Sequence, residues 1–151
     1  MPALSRERQL AGPLRLPGER RLRTGERARL AGEILLAYGA ATVALRRAPI
    51  ETALAGLRNV PAGSAARDDA LSESRRLGAA VSRTLRLAPG DTRCLTRSLV
   101  LTRLLARRGI ASTLVIGTRT KPVFLAHAWV EHARSPVLDP GEGVFARLVE
   151  L

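Results

Sequence analysis

The 151-residue chain has one cysteine, one lysine and few aromatic side chains: one Trp, one Tyr and two Phe. A single cysteine excludes an internal disulfide, and one Cys with two His cannot build a Cys-rich zinc site. Such a chain suits a reducing compartment, and a cytoplasmic setting is expected. The scarcity of aromatic rings removes the stacking platforms used by single-strand nucleic-acid binders.

Because Lys121 stands alone, the formal net charge of +12 is almost entirely arginine. Basic surfaces attract polyanions over long range. Here, however, arginine is spread along the chain with alanine, leucine and glycine, as a coding bias would leave it, so no nucleic-acid partner is expected. The first 23 residues put charge and proline where a signal peptide needs an apolar core. The most apolar stretch, residues 30–45, carries Glu33 and is shorter than the ~20 residues of a membrane span. It is expected to be a buried helix without membrane contact.

Residues 1–23 are arginine-rich and punctuated by proline, which suggests a loosely ordered arm with at most a short helix over residues 5–11. From Thr24, a candidate N-cap, to Arg47, the residues Leu30, Ile34, Tyr38, Ala41 and Leu45 recur at helical steps until Pro49 ends the run. A second helix fits residues 50–57, and NVPAGS (59–64) has turn composition. A third fits residues 65–87, with Leu71, Ser74, Leu77, Ala80 or Val81, and Leu85 on one side, until Ala88, Pro89 and Gly90 break it. Asp91 or Thr92 can cap a fourth, over residues 93–108, closed by Gly109 in the position past a helix end that favours glycine.

After residue 109 the pattern changes. ASTLVIG (111–117), VFLAHAWVE (123–131) and PVLD (136–139) are short and β-prone, separated by turn-like TRTKP and HARS. They predict a three-stranded antiparallel meander. The fold class is therefore α+β, with an arm and helical extension over residues 1–88 and a catalytic core over 89–151, together forming one compact unit.

Three residues in this arrangement carry chemistry. Cysteine reacts as the thiolate, and the unpaired N–H groups at a helix start favour that anion. Cys94 falls in the first turn of the fourth helix, with Arg93 and Arg97 adding positive charge. The competing reading is a buried structural thiol. In the strand holding His127, alternation puts Phe124, Ala126, Ala128 and Val130 on the core face, and Leu125, His127, Trp129 and Glu131 on the other. His127 would then face the Cys-bearing helix or a cleft beside it, with Trp129 as a wall and a candidate substrate contact.

A register that pairs Asp139 with His127 puts that carboxylate within reach of the imidazole. There it would fix the tautomer and leave the second nitrogen for the Cys94 sulfur. A slip of one residue would turn Asp139 away and leave Glu131 or Glu142 as the reserve carboxylate. His132 sits in a turn and is assigned no role. Ser98, one helical turn beyond Cys94, is read as a packing residue and not as a nucleophile.

The segments CLTRSLVLTRLLARRGI, LVIGTR, FLAHAWVE and VLDP resemble the transglutaminase-like or papain-like core, and in particular the leader peptidases of lasso-peptide biosynthesis. AHAWVE is the most specific piece. The resemblance implies a Cys-bearing helix packed on a small antiparallel sheet, with Cys94 as nucleophile, His127 as general base and acid, and Asp139 as orienting carboxylate. Neither a metal nor an organic cofactor is implied. The implied substrate is a ribosomally made precursor peptide whose leader is cut away, and an asparagine-synthetase-like cyclase would act on the product. Since residues 1–88 show no hairpin, the chain resembles the split form, which relies on a separate winged-helix protein to hold the leader. Three other readings remain open: acyl transfer on the same triad, a basic helical binding protein without catalysis, and a peripheral membrane protein using residues 30–45 and the arginine-rich arm.

Overall fold

The computed structural model describes residues 23–59, 69–87, 94–138 and 143–151. The expected helix at 5–11, the 60–64 part of the turn, the 88–90 break, the caps Asp91 and Thr92, Arg93, Asp139 and Glu142 lie outside the described residues. Among the described residues, four helices, α1 (Thr24–Arg47), α2 (Ile50–Arg58), α3 (Ala70–Leu85) and α4 (Cys94–Arg107), precede four strands. The strands are β1 (Thr113–Arg119), β2 (Leu125–His132), β3 (Ser135–Pro136) and β4 (Ala146–Glu150), in an antiparallel sheet of order β3-β2-β1-β4. The α+β class expected from the sequence is the one observed.

The centre of the fold is α4. Apolar or small residues occupy nearly its whole circumference, so Thr96, Ser98 to Thr102, Leu104 and Leu105 are all buried. It packs against α1, α2 and α3 on one side and against β1 and β2 on the other. One core cluster joins Ile34 and Ala41 of α1, Leu54 and Leu57 of α2, Leu77 and Val81 of α3, and Leu114, Ala128 and Val130 of the sheet. The end of α4 is a Schellman turn: Gly109 at φ 69° and Ile110 donate to Ala106 and Leu105, both at 3.0 Å. Ile110 packs back into the core.

Two polar ties hold the helices in place. Arg108 pairs with Glu33 of α1 at 2.9 Å and with Glu73 of α3 at 3.5 Å. Arg58 of α2 donates to the carbonyls of Ser112 and Leu151 at 2.7 and 2.9 Å, at the two ends of the chain segment that forms the sheet. Burial lowers the Arg58 pKa below its ordinary value.

Several expectations need correction. Thr24 is the first residue of α1 and not its cap; Arg23 holds that position, its N–H bonded to the Glu26 carboxylate at 2.7 Å. Only one stripe of α1, at Ile34, Ala37 and Ala41, is buried, while Leu36 is 74% exposed. With 24 residues, α1 is long and apolar enough, by length and composition, to cross a membrane. The sheet has a fourth strand, β4, that the three-stranded reading missed. Phe124 and Ala126 are exposed and do not join the core. The β2–β3 ladder is offset by one residue from the expected register, pairing Glu131 with Pro136 and His132 with Ser135. It stops there, because Val137 and Leu138 both donate to the carbonyl of Val130.

Candidate active site

Cys94 is the first residue of α4 and is half-buried against the core. One turn further on, the buried Ser98 donates its Oγ hydrogen to the carbonyl of Ala128 on β2, at 3.1 Å. Ser98 is thus the packing residue expected of it. The chain returns from α4 to β1 through only residues 108–112, so β1 runs back along the helix, and the antiparallel β2 runs in the helix direction. Cys94 precedes Ser98, and His127 precedes Ala128. Both therefore lie at the same end of the α4–β2 pair.

The ladder explains what surrounds His127. Ala128 and Val130 point into the core with α4, as the alternation required. His127, Trp129 and Glu131 occupy the opposite face, so the imidazole projects from the side of the sheet away from the body of α4 and not toward the Cys-bearing helix. Its ring is 6.2 Å from that of Trp129, nearly parallel at 17°, and 5.5 Å from the tilted ring of Phe145. The Trp129 and Phe145 rings are 6.1 Å apart, and the Arg119 guanidinium lies 5.5 Å over Phe145.

Directly across from His127 on β1 is Gly117. A Cβ there would come within 2.9 Å of both the Trp129 ring and the carbonyl oxygen of Ala146. Only glycine lets the indole lie flat across β1. Gly117 does not end its strand, which continues to Arg119. Trp129 is 5% exposed, and its ring lies along one side of the imidazole.

Glu131 is buried and fully engaged. It accepts from Trp129 Nε1 at 2.9 Å and from both Nη atoms of Arg147, at 2.9 and 3.1 Å. Arg147 Nε donates to Glu150 at 2.7 Å. These bonds, Glu131 first, raise the Arg147 pKa above its ordinary value. With both oxygens committed to Trp129 and Arg147, Glu131 is no reserve orienter for His127. His132 is also engaged: its Nδ1 lies 2.7 Å from the carbonyl oxygen of Ala111. Phe145 and Arg147 escaped the sequence reading, since their places depend on β4, and so did the contact of Arg119, on β1, with Phe145. Among the described residues, no three of His, Cys, Asp and Glu gather as a metal site would need.

The model of the transglutaminase-like superfamily matches residues 34–150, more than half of the chain. This span runs from the middle of α1 to the end of β4, across the expected division at residue 88. No curated protein and no solved structure matches the chain.

Proposed function

Because the chain belongs to the transglutaminase-like superfamily, whose members are typically cysteine hydrolases and transferases, we propose that it is a thiol peptidase that removes the leader from a lasso-peptide precursor. The observation that supports this reading is that α4, which begins at Cys94, is tied to β2 one residue after His127 by the bond from Ser98 to Ala128. The resemblance of AHAWVE and its neighbouring segments to lasso leader peptidases supports the substrate.

The Cys94 thiolate attacks the carbonyl of the last leader residue, and the carbon–nitrogen bond to the core peptide breaks. His127 delivers a proton to the departing amine. A water then attacks the leader thioester, giving its proton to His127, and the thiolate is restored. The backbone N–H of Cys94, at the start of α4, serves as an oxyanion donor. Asp139 is assigned to orient His127 on the family resemblance alone, because the ladder offset by one residue removes the register that was to pair the two. A separate winged-helix protein presents the leader, the cyclase consumes the released core, and the reaction takes place in the cytoplasm.

The test is to incubate the protein with a precursor peptide and its leader-binding partner and to follow the peptide masses. The native protein should release intact leader and core, and Cys94→Ala should release neither. Cleavage that survives in Cys94→Ala would exclude the thiol mechanism. An unchanged precursor, with the partner shown to be bound, would exclude the substrate.

A further inference from the structure

A flat ring beside a reacting imidazole is useful only if something holds that ring still. Trp129 has Gly117 beneath it and His127 beside it, and its one polar atom is bonded to Glu131. Glu131 is itself a buried carboxylate. Such a charge is costly to bury unless it is paired and hydrogen-bonded, and a bidentate arginine meets both needs. Arg147 supplies this pairing across the sheet.

The position of Arg147 is set by an irregularity in the edge strand. From Val115 opposite Glu150 and Ile116 opposite Val149, a regular ladder would put Leu148 across from Gly117. The register shifts between Ile116 and Gly117, so that Arg147 takes this place. His127, Gly117 and Arg147 then form one row across β2, β1 and β4, on the same face. Bulges of this kind re-aim side chains beside functional sites.

We propose that Arg147 is a positioning residue for His127, acting through Glu131 and Trp129. This rests on the reading of His127 as the general base. Arg147 anchors Glu131, Glu131 fixes the indole, and the indole fixes the plane of the imidazole. A misplacement of about 1 Å in a catalytic group can cost ~100-fold in rate, so the chain of contacts has kinetic weight although Arg147 touches no reacting atom.

The test uses the full chain with Arg147→Ala and Arg147→Lys. His127 and His132 are its only histidines and Trp129 its only tryptophan, so both proton spectra of the imidazoles and indole fluorescence can be assigned to single sites. In Arg147→Ala, the His127 ring-proton resonance should move away from its ring-shielded position while that of His132 stays, and the Trp129 emission should shift to the red. With the precursor and its partner, kcat should fall about 10-fold to 100-fold with KM nearly unchanged. Arg147→Lys keeps the charge but not the bidentate grip, and should recover part of each loss.

Native His127 and Trp129 signals in Arg147→Ala would overturn the proposal, as would displaced signals with native kcat. If Arg147→Ala fails to fold, Arg147→Lys decides, because native spectra and native kcat in that variant would likewise overturn it. If the native chain does not cleave the precursor, the functional reading fails, while the spectra still report whether Arg147 holds the two rings.

Discussion

Gly78 of α3 stands so close to the carbonyl of Val137 that a Cβ there would overlap the oxygen, with Leu101 of α4 directly behind. This contact sets where the chain runs two residues before Asp139. Alanine in a helix interior is favoured over glycine by about 1 kcal/mol, but forcing an atom into a filled site costs about 1–3 kcal/mol. The collision is with backbone and should dominate. Gly78→Ala should lower stability in urea denaturation and reduce turnover by moving the segment that leads to Asp139. Gly32 and Gly39 of α1 have open space around them, so Gly32→Ala and Gly39→Ala should each stabilise by about 0.5–1 kcal/mol. A gain for Gly78→Ala equal to these two would contradict the close approach.

The β2–β3 hairpin turns through Ala133 at φ 48° and Arg134 at φ 62°. This is the geometry of a two-residue type I′ turn, which favours Asn-Gly. A left-handed conformation costs an ordinary L-residue about 1–2 kcal/mol. Arg134→Gly, alone or with Ala133→Asn, should therefore raise the unfolding free energy by about 1 kcal/mol, measured by chemical denaturation. An unchanged or lower midpoint would contradict the turn assignment.

Ser98 ties the cysteine helix to the histidine strand from a fully buried position. Ser98→Ala leaves the Ala128 carbonyl without this donor and should cost about 1–3 kcal/mol of stability. A serine-directed fluorophosphonate should leave Ser98 unlabelled in the native protein, as peptide mass mapping would show. Labelling at Ser98 would mean that the α4–β2 seam is open.

Helices α1, α2 and α3 were legible because each buries one stripe against a common core. Ile34 and Ala41, Leu54 and Leu57, and Leu77, Val81 and Leu85 all fall at helical steps and all join that core. Gly109 was legible because past the end of α4 the chain takes a positive φ. The edge strand β4 was not, since all five of its residues are exposed and no buried face imposes a period of two on the sequence. The β2–β3 register was missed for a related reason: Ala133 and Arg134 adopt turn angles without being typical turn residues, so the length of the turn could not be read. Of the region around the candidate site, the helix start at Cys94 and the strand that carries His127 were legible from their local patterns. The partnership of Glu131 with Arg147 depends on a bulge at Leu148, which no local pattern announces.

The most direct test of the account is to look for the thioester. Native protein mixed with precursor and partner, quenched in acid within the first turnover and weighed intact, should carry the mass of the leader on Cys94. His127→Ala should reduce the rate at which this adduct forms and clears, and Cys94→Ala should carry none. Turnover to leader and core with no adduct at any time, together with full activity in Cys94→Ala, would contradict the central claim that Cys94 is the nucleophile.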